Sequence, residues 1–193
     1  MGGLTCEAHR VAPVRRRTRR AREGWRSVLL LAALVLLAPP ARAQEFSEYR
    51  LKAAFVYNFA LFTEWPTEVG PTLNLCIHGQ DPFGEELNEL QGKAVGKRNI
   101  ALQRKASVDS LKSCQLVFIS GPGMRSLPRV LDELRERPAL TVADSPGAVR
   151  LGVMLNMAVA QNKVTFEANL PAARAARLTL SSKVLRLATG VLQ

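Results

Sequence analysis

Histidine and cysteine are scarce: there are two and three of them in 193 residues. A metal centre needs three or four convergent imidazole, thiolate or carboxylate ligands, and only Cys76 and His78 have anything like ligand spacing. Two residues apart on a strand, they would share a face. No third group is in place to orient a Cys–His nucleophile pair, and a thiol in an apolar strand is usually inert core. Phosphate loops are no better supplied. "GQDPFG" (79–84) is followed by Glu85 and Glu86, where a phosphate loop needs Lys and Ser or Thr. "GPGMRS" (121–126) resembles a dinucleotide loop, with Asp144 about twenty residues further on, yet Pro122 removes a backbone donor and Ser126 stands in for the third glycine. Catalytic, cofactor-binding and metal sites are therefore expected to be none, and the chain is not expected to be an enzyme.

A long apolar run is also missing. "VLLLAALVLLA" (28–38) has eleven residues, whereas a membrane-spanning helix needs roughly 20. It follows a stretch rich in arginine and precedes Ala41-Arg42-Ala43, a small-x-small cleavage pattern. Residues 1–43 thus read as a secretory signal peptide cut between Ala43 and Gln44. No cysteine follows the run, so no lipid anchor is indicated. The leader carries nine arginines and two acids, so its removal takes the net charge from +11 to +4. Most of the apparent nucleic-acid signal is a targeting signal, and no nucleic acid is expected as a partner. The remaining basic cluster, Lys93, Lys97, Arg98, Arg104 and Lys105, reads as a solvated edge.

Residues 44–193 suffice for one domain, and no repeat, low-complexity tract or linker divides them. A helical pattern runs from 47 to 65, with Tyr49, Ala53, Val56, Phe59, Ala60 and Thr63 on one side, and Pro66 ends it. Strands are predicted at 73–79, 99–103, 114–120, 139–142, 153–159 and 163–169, the last two paired around Gln161 and Asn162. Helices are predicted at "DPFGEELNEL" (81–90), with Asp81 as cap, and at 126–137 and 181–189. This alternation predicts an α/β domain: a mostly parallel sheet, helices on both faces, and an antiparallel pair at one edge.

Once the leader is removed, Cys76 and Cys114 form an even pair in an oxidising compartment. Geometry raises an objection to a bridge, because Cys76 lies past the middle of its strand while Cys114 opens its own.

"LKAAFVYNFALFTEWP", "LNLCIHGQDPFG", "LKSCQLVFIS", "ALTVADSPG" and "VTFEANLPAARAARLTLSSKVLRLA" resemble, in that order, the signature segments of the YfiR/HmsC-like family of exported bacterial proteins. The resemblance spans about residues 46–187. It implies a periplasmic protein of compact α/β fold that is not an enzyme. Its function would be to bind the periplasmic part of an inner-membrane diguanylate cyclase and repress it, relaying envelope or redox state to cyclic di-GMP signalling and biofilm formation. It also implies a Cys76–Cys114 disulfide. The chain departs from the family around "SPGAVRLGVMLNM", where Ala148 and Leu151 replace residues that are usually aromatic or acidic and a second glycine beside Gly152 is missing. A reading from another class is a periplasmic small-ligand-binding domain, with its crevice near His78, Gly79 and residues 121–123.

Seven of the eleven aromatic residues fall between 46 and 65. Tyr49, Val56 and Phe59 fit a helix docked in the core. Tyr57, Phe62 and Trp65 lie off that stripe and are the candidate partner surface, for a cyclase or for a second copy in a homodimer.

Overall fold

The computed structural model describes residues 48–105, 107–160 and 163–193. The expected cleavage at Ala43 and Gln44 and the turn at Gln161 and Asn162 lie outside the described residues.

Helix α1 (Glu48–Leu61) contains no glycine or proline, has an acid in its first turn, and buries Lys52, Ala53, Val56, Phe59 and Ala60 along one face. The last carbonyls of any helix lack intrahelical donors. Here three residues supply them: the Phe62 amide donates to Asn58 at 2.9 Å, the Thr63 hydroxyl to Phe59 at 2.6 Å and the Trp65 indole to Ala60 at 2.9 Å. Strand β1 (Thr63–Glu64) follows at once and pairs antiparallel with β9 (Thr179–Leu180).

The main sheet holds β2 (Thr72–His78), β3 (Ala94–Val95), β4 (Arg98–Lys105), β5 (Leu116–Ile119), β6 (Leu140–Ala143), β7 (Leu155–Ala160), β8 (Lys163–Asn169) and β10 (Gly190–Leu192), in the order β10-β8-β7-β6-β5-β2-β4-β3. Only β7 with β8 and β3 with β4 run antiparallel. The domain is α/β with a mostly parallel sheet, as the alternation predicts. The chain leaves β2 toward β4 and returns on the other side to β5, so the order reverses between β2 and β5.

Both faces are covered. Leu73, Leu75, Ile77, Leu116, Phe118, Val142, Leu155 and Phe166 join one core with α1, and Cys76, Val117, Ile119 and Ala143 join the other with α2 (Leu127–Glu133). The period of two along each strand sorts them.

The helix expected over 47–65 ends at Leu61, the short strands β1, β3 and β9 were not expected, and local elements depart from the expected pattern in three further places. The segment 81–90 forms 3-10 turns at Gly84–Leu90, introduced by Asp81, whose Oδ1 accepts the Phe83 amide at 2.8 Å. The C-terminal helix expected over 181–189 shrinks to α4 (Ser182–Leu185), because Thr189 donates both its amide and its hydroxyl to Phe166 and draws the chain into β10 beside β8. Tertiary pairing overrides local propensity there. Helix α3 (Leu170–Ala175) was not expected, although its signals are plain: the Asn169 side chain accepts the Ala172 amide at 2.9 Å, with a proline in the first turn.

Cys76 and Cys114 are joined by a disulfide with Cα atoms 6.0 Å apart. The ladder pairs Cys76 with Val117, which leaves Cys114 three residues short of that register. It escapes the objection because it precedes the strand proper, in the extended residue that ends the 3-10 turn Asp109–Ser113. Replacing both cysteines by serine opens a loop of sequence separation 38, and denaturant titration is expected to show a loss of about 4 kcal/mol. An unchanged midpoint would mean that the bridge adds nothing to the fold.

Candidate functional site

Lys52 is the least expected residue in the core. It sits among the apolar residues of α1 and is 4% exposed. Its Nζ reaches Asp144 Oδ2 at 2.7 Å and Glu48 Oε1 at 2.5 Å, and lies 4.7 Å from the centre of the Tyr49 ring. Burial pulls the lysine pKa down. The hydrogen bonds to Asp144 and Glu48, with the negative charge of Asp144, outweigh it and hold the pKa above the ordinary 10.5. Lys52 is therefore a fixed cation rather than a nucleophile. Asp144 follows β6, and the next residue is steadied by the Ser145 amide donating to the buried Asn156 side chain at 3.1 Å. The acid that a dinucleotide loop would turn to a ribose is thus committed to α1.

Lys52 and Asp144 line a shallow cleft of about 530 Å³ at the carboxyl ends of β2, β5 and β6, together with Gln80, Asp81, Ser120 and Ser145. Of the crevice expected beside His78, Gly79 and residues 121–123, Gly121 and Pro122 line this cleft, whereas Gly79 and Gly123 are packed against neighbouring backbone and side chains. A Cβ on Gly79 would fall 2.3 Å from Ser120 Oγ, and one on Gly123 would fall 2.7 Å from the His78 carbonyl. These glycines let two backbones touch and leave no room for a phosphate.

His78 is 5% exposed, with Nε2 2.7 Å from Ser126 Oγ. Ser126 donates to the Gly123 carbonyl at 2.9 Å, so its oxygen accepts from Nε2–H, and Nδ1 is left buried without a partner. Burial lowers the pKa of the ring below 6.5. With Cys76 oxidised, no Cys–His dyad exists. Among the described residues no group of three possible metal ligands occurs, and no helix is long and apolar enough to cross a membrane.

The aromatic residues of α1 turn mostly inward. Phe55, Phe59 and Phe166 meet edge to face at 5.0–6.0 Å, and Tyr49 reaches Phe118 through Phe83. Tyr57, Phe62 and Trp65 are half-buried and packed on the same core. The Tyr57 hydroxyl donates to the Ala94 carbonyl at 2.8 Å, and Lys93 lies over its ring. The basic cluster is similarly occupied: Arg98 donates to the Pro66 and Val69 carbonyls and Arg104 pairs with Asp81.

A larger and more apolar opening than the cleft over Lys52 and Asp144 lies elsewhere. A groove of about 970 Å³ runs between α2 and α3, walled by Leu127, Leu131, Ala172 and Ala175, floored by Thr141 and Met154, and closed at one end by Leu151 and Gly152. Leu151 is 61% exposed.

The family model described as YfiR/HmsC-like matches residues 49–189. The chain belongs to the YfiR/HmsC-like family. The match takes in the Lys52–Asp144 pair, the disulfide and both walls of the groove. That family is periplasmic, and regulatory rather than catalytic. Among solved structures, this YfiR/HmsC-like chain is similar to the ABC domain from Streptococcus pneumonia in complex with L-Trp (TM-score 0.50, 10% identity, 75% of this chain and 60% of that one). It is also similar to a conserved domain protein from Vibrio cholerae O1 biovar El Tor (TM-score 0.50, 7% identity, the same coverage). It thus spans about 60% of the length of each, and the likeness is one of fold.

Lys52→Met or Asp144→Asn alone is expected to cost about 3–5 kcal/mol in denaturant titration, because each strands a buried charge or its partner. The double change Lys52→Met with Asp144→Leu should recover most of that loss. For His78 the depressed pKa means that the unfolded chain binds the proton more readily. Its contribution is complete above 6.5 and is lost as the pH falls through the folded pKa. The melting temperature should therefore drop between neutral pH and pH ~5, and His78→Gln, which keeps a donor for Ser126, should flatten that drop. No other histidine is present after residue 9, so an unaltered profile would clear His78 of the effect.

Proposed function

We propose that this protein binds the periplasmic sensor part of an inner-membrane diguanylate cyclase and holds it inactive, coupling envelope or redox state to cyclic di-GMP and biofilm formation. The observation that carries the reading is the family match over residues 49–189. The structure supports it in kind, since the buried Lys52 and Asp144 are spent on each other and an open apolar groove lies on the surface. Repression is then a population shift: the bound regulator favours one arrangement of the cyclase, and its release returns the other. Residues 1–43 would carry the chain to the periplasm before they are removed. The reading as a small-ligand binder finds support only in the shallow cleft over Lys52 and Asp144, whose charges already satisfy each other.

Deleting the gene is expected to raise cellular cyclic di-GMP, and re-expressing the full chain to lower it again. A chain without residues 1–43, confined to the cytosol, should leave the level high. If the leaderless chain restores repression equally well, the periplasmic mechanism is wrong.

A further inference from the structure

The groove between α2 and α3 is unfilled, and its construction says what fits it. We infer that it is the principal contact by which the protein holds its partner, and that the occupant is an amphipathic helix of that partner with an acidic flank. The inference rests on the cyclase-binding reading above and names the surface and the chemistry.

Three observations carry it. First, both walls are helices, so an extended peptide would find no sheet edge to join, whereas a helix brings its own hydrogen bonds. Second, the wall formed by Ala172, Ala175 and Ala176 is low and the opposite wall carries Leu127, Leu131 and Leu134. That step admits a helix backbone on one side and its apolar side chains on the other. Gly152 suits the closed end: its φ of +104 would strain any side chain, and a Cβ there would crowd Leu131 Cδ1 at 2.9 Å. Third, the charge of the rim leans positive. Among the lining residues Arg125 and Arg135 are matched by Asp132 and Glu136, and the excess comes from Arg150 and Arg174, exposed and next in sequence to the lining residues Leu151 and Ala175, while the neighbouring Glu133 is taken by Lys112. Asp132 is tied to Arg135 at 2.9 Å, while Arg125 has no ion pair or hydrogen bond among the described residues. A second copy would bring the same excess of positive charge against it, so complementarity favours an acidic partner over self-association.

Leu151, the exposed knob at the mouth, has the position of an interface anchor. The aromatic patch of Tyr57, Phe62 and Trp65 offers less, since those rings are already packed on their own core.

The test uses the mature protein and the purified periplasmic part of the diguanylate cyclase that its deletion derepresses. Leu151→Glu and Arg125→Glu, both at exposed positions, are expected to keep the melting temperature and to weaken binding at least about tenfold. Arg125→Glu should also reduce the dependence of affinity on salt. Trp65→Ala should do the reverse, lowering the melting temperature while binding persists below it. A photo-crosslinker at position 151 should capture the cyclase, and one at position 97 should not. If wild type binds but the groove variants bind equally tightly and position 151 captures nothing, the groove is not the contact and the cyclase reading stands alone. If the groove variants change only the mass of the protein in sedimentation, the occupant is a second copy and the inference is overturned. Should wild type fail to bind the cyclase part at all, both readings fall together.

Discussion

The arrangement depends on one buried ion pair. Helix α1 has to lie on the sheet in a single register, and its apolar stripe alone would tolerate sliding, because alanine, valine and phenylalanine pack against many neighbours. Lys52 removes that freedom. Its ammonium group is buried, so it must find an anion, and Asp144 at the end of β6 is placed to serve. A buried pair adds little net stability over well-packed apolar residues, since desolvation opposes the attraction. What it adds here is position: with Nζ fixed, Phe59 falls against Phe166, Tyr49 against Phe83, and the end of the helix delivers Thr63 and Trp65 to its own last carbonyls.

The carboxyl ends of the central strands follow from the same constraint. In open parallel sheets the crevice where strand order reverses is the usual place for a ligand. Here one side is closed by the contact of Gly79 with Gly123, and the other is floored by a lysine and an aspartate already paired. The topology is kept, and at its habitual binding place a shallow cleft lies over charges already spent on each other. That arrangement agrees with a family that regulates rather than catalyses.

Much of this was legible in the sequence. The strands β2 and β4 to β8, the parallel majority and the β7–β8 pair follow from apolar runs and turn residues, because a strand buried on both faces announces itself. The one-sided stripe of α1 was equally readable. Lys52 was not, since a lysine within an amphipathic helix ordinarily belongs to solvent and its acid partner is 92 residues away. The surroundings of Trp65 were hidden for a related reason: it was read as the last residue of the helix, which ends at Leu61, and only the folded chain shows its indole turned back on Ala60. The C-terminal strand was hidden because Thr189 takes its partners from Phe166, which no local pattern records. The groove was invisible, being made by two helices from distant parts of the chain, one of them unforeseen.

The disulfide has a mechanical corollary. Residues 76 and 114 enclose β3, β4 and the 3-10 turns on either side of them, so that flank of the sheet is a closed covalent ring. The opposite rim is the short strand β10, which lies outside that ring and pairs with β8 at three positions. Under thermal agitation the two margins are unequal partners: one is cyclised and must melt as a unit, while the other is free to fray from the chain end inward.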